Sequence, residues 1–314
     1  MGYWPDTISD LVECLEKEKL VYRDTIIIGD NSSGKSYLLK SFVRKVLAQK
    51  NVYFIDAVNR GFDVTKVLRL KEDPPYKRTI IDTRLQDDYF NIKDSFNCYG
   101  TATERIEQIY SAYEEKAQSL FRSLVKDEFE ILYGNSLGEV RFREGIGLLS
   151  SGYQAILRIL LELSYYNNIL QKANNNEAWI VIDELDEFLS PRFASAIMPF
   201  LKISFPHMKF IVATHSIDLV MSAKDANLIV LDSKGYEVFD SNDYYTFADV
   251  QKLFLKVFRL SEPQASEIDA ILRRLLNNRI NSAWSHKDEE DFFALGNMQL
   301  SASQKLIVRQ IKEW

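Results

Sequence analysis

Apolar residues fall into two rhythms along this chain. Short continuous runs at residues 25–28, 52–56, 79–82, 179–184, 209–213 and 227–231 predict buried strands. Longer stretches repeat at helical spacing: Ile8, Leu11, Val12, Leu15 and Leu20 first, then Leu39, Phe42, Val43, Val46 and Leu47. Residues 102–132, rich in Glu, Lys, Ala, Leu and Gln, predict one long helix or two, ended by Gly134-Asn135. At ~1.5 Å per residue that stretch would span about 45 Å at most. A short strand is predicted at 138–142, a helix at 155–163, and a closing pair of 227–231 with 236–239 around Ser233-Lys234-Gly235. From about residue 245 the pattern is helical, with Leu253, Leu255, Phe258, Ile271 and Leu275 as packing positions. Strands alternating with helices predict an α/β fold whose mostly parallel sheet is flanked by helices. The predicted division is a domain at 1–244 with a helical insert at about 88–147, then a helical C-terminal region at 245–314.

Between the first strand and the second helix lies Gly29-Asp30-Asn31-Ser32-Ser33-Gly34-Lys35-Ser36, which fits G-x-x-x-x-G-K-[ST] at every fixed position. The two glycines let the backbone fold tightly round an anion without Cβ clashes. Backbone N–H groups then point at phosphates, and the helix that follows adds the attraction of its N-terminus. Lys35 has the reach for β- and γ-phosphates, and the Ser36 hydroxyl suits Mg²⁺. In parallel sheets ligands bind beyond the carboxyl ends of the strands. Asp183-Glu184 and His215 also follow apolar strands directly, so three polar sites are predicted to converge on one edge. There Asp183 would hold Mg²⁺, and Glu184 would orient or deprotonate an attacking water.

Bulk properties narrow the class. At 314 residues the chain suits one large domain or two moderate ones, and its 46% hydrophobic content suits a real core. The longest apolar runs are far below the ~20 residues of a membrane helix, and the acidic start, with Asp6, Asp10 and Glu13, predicts no secretory leader. Cys14 and Cys98 form no disulfide or metal-spacing pattern and suit a reducing cytoplasm. A formal charge of -6 argues against wholesale coating of nucleic acid, though not against a local basic groove. Tyr3, Trp4 and Tyr22 precede the loop as candidates to stack on an adenine ring, with ordinary packing the favoured reading of each.

Four segments in one order resemble the ABC class of P-loop ATPases. The resemblance extends to SMC-type heads and to the OLD-like, AAA-type ATP-binding family of bacteria. Gly29 to Ser36 matches the Walker A form G-x-N-G-S-G-K-S, with Ser32 for one Gly. Leu149-Ser150-Ser151-Gly152 matches the L-S-G-G signature with Ser151 for Gly, and Tyr153 stands where Gln or Glu is usual. Residues 183–191 match D-E-x-E-x-x-L-H-P, with Asp186 for Glu and Ser190 for His, and Thr214-His215-Ser216 matches the T-H-S switch.

The resemblance implies a P-loop NTPase fold of the ABC-head type and the cofactors ATP and Mg²⁺. It implies a nucleotide-binding set of Gly29, Asn31, Ser32, Ser33, Gly34, Lys35, Ser36 and Tyr37, joined by Ser150, Ser151 and Gly152 from a second protomer. Ser36, Asp183 and Gln86 (a Q-loop candidate) are the implied metal-site residues, and Lys35, Glu184 and His215 the catalytic ones. His215 would contact the γ-phosphate. The implied assembly is a head-to-tail homodimer around two ATPs.

Departures narrow this further. The signature differs from that of transporter subunits, and too few residues separate Lys35 from Ser150 for two long coiled-coil arms. Asp288, Glu289, Glu290 and Asp291 are read as a solvated acidic helix start, not as a nuclease metal site. The leading expectation is a cytoplasmic ATP-hydrolysing switch without membrane attachment. It would drive a protein effector such as a nuclease or toxin in bacterial anti-phage defence or genome maintenance, with the C-terminal region as a docking site. The alternative is an ATPase acting directly on DNA or RNA ends, through basic strips at Arg69, Lys71, Lys77, Arg78 and Arg84 or at Arg273, Arg274 and Arg279.

Overall fold

The computed structural model describes residues 4–58, 60–67, 76–86, 106–133, 138–143, 145–174, 177–232, 235–258, 267–280, 283–296, 298, 300 and 302–313. Gly134, Asn135, Lys234, Arg69, Lys71 and Cys98 lie outside them.

Five apolar runs form strands with almost every residue buried: β1 (Asp24–Ile28), β2 (Val52–Ile55), β6 (Ala178–Ile182), β7 (Met208–Ala213) and β8 (Ala226–Asp232). Burial on both faces is what a helix-flanked parallel sheet requires, and explains why these runs do not alternate. With β9 (Gly235–Asp240) they make a six-stranded sheet, β2-β6-β7-β1-β8-β9. All pairs are parallel except β8–β9, whose half-exposed second strand closes one edge. The carboxyl ends of β1, β2, β6 and β7 therefore share one edge.

The pairing continues past the strand ends. Asp183 N–H donates to Ile55 O (2.9 Å), Leu185 N–H to Ala213 O (3.1 Å) and Thr214 N–H to Ile27 O (3.1 Å). These bonds lock the segments that carry the chemistry to the sheet.

The flanking helices follow the predicted spacing. α1 (Trp4–Glu16) packs on α2 (Lys35–Val46), and α2 packs on β2, β6 and β7 through Leu38, Leu39, Phe42, Val43 and Val46. Residues 79–82, expected as a strand, are instead part of α3 (Thr79–Arg84). Ile80, Ile81 and Arg84 are its buried residues, a spacing that one helix face provides and a strand does not.

The long helix is shorter than expected. α4 (Ile106–Val125) has 20 residues, about 30 Å. The insert is also not wholly helical: β3 (Phe129–Tyr133), β4 (Gly138–Phe142) and β5 (Gly145–Gly147) form an antiparallel sheet, so 129–132 are strand. Buried Phe129 and Ile131 alternate with exposed Glu130, a period-two pattern that a helix cannot satisfy.

α5 (Ser151–Lys172) packs along α4, and α6 (Pro191–Ser204) packs on α7 (Ile217–Ser222), which in turn meets α8 (Phe247–Val257). One apolar cluster runs through all of these elements.

Two compact units divide the chain, Met1–Phe258 and Arg259–Trp314, so α8 belongs with the sheet unit. The second unit holds α9 (Glu267–Ile280), α10 (His286–Leu295) and α11 (Ala302–Glu313), packed around Leu272, Leu275, Leu295 and Ile311. The acidic start of α10 is partly structural. Ser285 and Asp288 form a reciprocal capping box, while Arg274 pairs with Asp288 and Asp291.

Candidate nucleotide site

The loop between β1 and α2 is shaped by three backbone demands. A Cβ at Gly29 would lie 2.4 Å from Leu231 O, so only glycine passes beneath β8. Gly34 has φ 101 and N-caps α2 with no side-chain hydrogen bond, leaving the first turn's N–H groups to an outside acceptor. Ser32 stands where the resembled family has glycine, and its φ is 63. The left-handed backbone explains that glycine, and costs a serine about 1 kcal/mol. The loop is tied to itself by Ser33 N–H to Asp30 O (3.1 Å) and by Asn31 N–H to the Asp30 carboxylate (2.7 Å).

Lys35 is buried, and its ammonium donates to Gly29 O (2.9 Å) and Asp30 O (3.1 Å). Burial lowers its pKa against the opposing pull of Asp183, Glu184, Asp30 and Asp186. Asp183 follows β6 directly, with the Ser36 hydroxyl facing its carboxyl. Burial raises the Asp183 carboxyl, the Ser36 contact opposes that, and Glu184 adds repulsion. Its Oδ1 is buried with no hydrogen-bond partner. A desolvated carboxylate oxygen beside a serine hydroxyl is a donor set that fits a hard divalent cation. Among the described residues no group of three or more His, Cys, Asp or Glu forms a cage for a metal.

Glu184 adopts φ 49, which turns the chain out of the sheet immediately after Asp183. Its carboxyl is raised by burial first, then by Glu187 and Asp186. His215 follows β7 by two residues, and its Nε2 is 3.9 Å from Glu184 Oε1. Burial, then Lys35, lowers the imidazole below its ordinary pKa, which favours the neutral ring. The fold thus joins Lys35, Ser36, Asp183, Glu184 and His215 at one edge.

The signature residues occupy a different place. Ser150 N-caps α5, its hydroxyl accepting from Tyr153 N–H (3.3 Å). Ser150 and Ser151 are exposed. A Cβ at Gly152 would lie 2.9 Å from Phe188 O, so glycine lets α5 approach the segment after Glu184. Among the described residues no hydrogen bond or ion pair joins residues 150–152 to the 29–36 loop. Tyr153 packs edge-on against Phe121 of α4 (5.2 Å) and Phe193 of α6 (6.0 Å), so this departure from the family pattern braces the signature helix against the insert.

Tyr37 is half-exposed in the first turn of α2. Gln86 follows α3, not a strand; its carbonyl accepts from Lys40 (3.1 Å) and its residue is exposed. Tyr22 lies before β1, at the opposite end from the loop, with its hydroxyl on Asp240 (2.7 Å).

Several residues of this region were missed from the sequence. Arg60 is fully buried, and its Nη2 donates to Asp183 O (2.7 Å) and Glu184 O (3.4 Å). Nearby, Glu162 of α5 accepts from Arg84 (2.8 and 3.1 Å), Arg158 (3.0 Å) and Tyr53 (3.0 Å). Arg158 and Glu162 stand four apart inside the apolar run of 155–163, the one sequence signal for a buried pair. Arg84 was expected in a basic surface strip; it is buried because Glu162 needs a partner. Arg274 and Arg279 of the other strip are engaged by acids and by the Trp284 ring (4.6 Å).

A Septu protein, PtuA of Bacillus thuringiensis, is 29% identical over 147 residues, which are 45% of this chain and 33% of that protein. The order of its loop, Leu149–Gly152 turn, carboxylate pair and Thr214-His215-Ser216 segment is similar to that of the ABC class of P-loop ATPases. Solved structures give looser matches. The SMC head domain from Thermotoga maritima is 20% identical at TM-score 0.31, covering 43% of this chain and 50% of its own. CbiO1 from Clostridium perfringens, part of an ABC transporter complex, is 14% identical at TM-score 0.37, covering 76% and 86%. No protein-family model matches the chain. Among the described residues, no helix is long and apolar enough to cross a membrane.

Proposed function

We propose that this chain binds ATP with Mg²⁺ and hydrolyses it, pairing head-to-tail with a second copy around two nucleotides. The observation that carries the reading is the orphaned Asp183 Oδ1 beside Ser36, with Lys35, Glu184 and His215 gathered at the same edge. Ser36 and Asp183 would hold the cation, which when bound neutralises phosphate charge. The loop N–H groups and the start of α2 would hold the phosphates, and Lys35 would leave the loop carbonyls for phosphate oxygens. Glu184, with its raised pKa, is suited to accept a proton from water near neutral pH. Neutral His215 would donate or accept one hydrogen bond at the outermost phosphate.

The exposed Ser150-Ser151-Gly152 turn opening α5 is a second anion-binding helix start, and the proposed dimer gives it a ligand on the partner copy. The cycle would gate a protein effector such as a nuclease or toxin. The stretch shared with PtuA supports a setting in anti-phage defence.

Light-scattering mass of the Glu184→Gln protein, with and without ATP and Mg²⁺, tests this. The expected result is a shift from 36.4 kDa towards twice that mass, abolished by Ser150→Arg. An ATP-independent mass, together with wild-type phosphate release in Glu184→Gln, would overturn it.

A further inference from the structure

We infer that Asp186 is a positioning residue for His215: it holds the Thr214 hydroxyl, and through it sets where the switch histidine sits relative to Glu184. The inference rests on the proposed hydrolytic reading for its consequence, but its geometry stands apart from it.

β6 and β7 are parallel neighbours, and both run out into loops at the site. Beyond the last strand residues one main-chain bond still joins them, Leu185 N–H to Ala213 O. The next link is made by side chains. Thr214 Oγ1 donates to Asp186 Oδ1, and the same oxygen accepts from Ser216 N–H (2.9 Å). Thr214 is fully buried, and its N–H is fixed on Ile27 O at the end of β1. Ser216 is fixed in turn as the N-cap of α7, accepting from Leu219 N–H (3.3 Å). His215 therefore has an anchored residue on each side.

Without Asp186 the Thr214 hydroxyl is free to rotate, and the bond that sets its direction is gone. The carboxylate also lies within electrostatic range of Lys35, Glu184 and His215, so it sits among the groups it would align. A capping aspartate would satisfy N–H groups of its own turn. This one reaches across to the neighbouring strand's loop, 28 residues along the chain.

The test compares Asp186→Ala, Thr214→Val and Thr214→Ser. Valine keeps the shape and loses the hydroxyl, and serine restores the hydroxyl. Expected for Asp186→Ala and Thr214→Val is a fall in kcat of about tenfold or more, with KM for ATP within about twofold. Thr214→Ser should recover most of the loss. A readout free of turnover is the His215 ring resonance, assigned by its disappearance in His215→Gln. It should move or broaden in Asp186→Ala and Thr214→Val and return in Thr214→Ser. An unmoved resonance in folded Thr214→Val would overturn the positioning role, and so would an unchanged kcat alongside active wild type. A resonance that behaves as expected in a wild-type protein without turnover would sustain the positioning and sink the hydrolytic reading instead. If Asp186→Ala does not fold, the Thr214 pair decides alone.

Discussion

Two clusters of charge, one around Glu162 of α5 and one at the carboxyl edge of the sheet, are built on opposite terms. In the one centred on Glu162, the carboxylate is fully buried and both its oxygens are occupied, by Arg84, Arg158 and Tyr53. In the one at the sheet edge, Asp183 leaves an oxygen without a partner, Lys35 rests on loop carbonyls, and Glu184 and Ser32 take left-handed backbone. A buried charge whose hydrogen bonds are all met needs no further partner, and one left unmet calls for an explanation such as a ligand, an ion or water. Arg60 touches the second cluster through the carbonyls of Asp183 and Glu184, with two of its own nitrogens unpartnered.

The comparison can be broken by mutation, most forcefully at Glu162. Glu162→Ala leaves two guanidinium groups buried without their acid and should destabilise the fold by about 3–5 kcal/mol in urea unfolding. The same carboxyl predicts a pH response. Burial pushes it up, but Arg84 and Arg158 outweigh that and hold it below the ordinary value. Its contribution is therefore present above the unfolded carboxyl pKa and lost as pH falls through the folded one. A wild-type stability curve that is flat on the acid side relative to Glu162→Gln would contradict the cluster's role.

Gly29→Ala comes next. The added Cβ meets the Leu231 carbonyl, which is backbone and cannot step aside, so a loss of roughly 1–3 kcal/mol is expected. Binding of a fluorescent ATP analogue should fall with it. Ser32→Gly is smaller: relief of about 1 kcal/mol of strain is offset by some 0.4–1 kcal/mol of added chain entropy in the unfolded state. A large change in melting temperature there would mean the loop is held by more than its backbone. Glu184→Gln should move stability least, within about 0.5 kcal/mol. Phosphate release should nonetheless fall about a hundredfold or more, a separation of stability from activity that the Glu162 variants cannot show.

The chain's own order of residues was enough for the strand–loop–helix at 24–46, the two carboxylates after β6 and the Thr214-His215-Ser216 segment after β7. Each is a local pattern whose parts are neighbours in sequence. Residues 79–82 suggest a strand because a short β-branched run has strand preference, and what overrides it is the burial of Ile80, Ile81 and Arg84 on one side of α3. Residues 129–132 were misread because one helical composition ran on past its true end at Val125.

Sequence by itself determined the loop between β1 and α2, the placing of Asp183, Glu184 and His215 just after apolar strands, and the α/β alternation that brings strand ends together. Only the tertiary structure decided that Arg84 is core, that Arg60 grips the Asp183 carbonyl, and that Asp186 reaches Thr214. The physical reason is the same for all three. Burial turns an unpaired charge or hydroxyl into a penalty of a few kcal/mol. The partner that removes this penalty is chosen by proximity in space, between residues 28 to 123 positions apart in the chain.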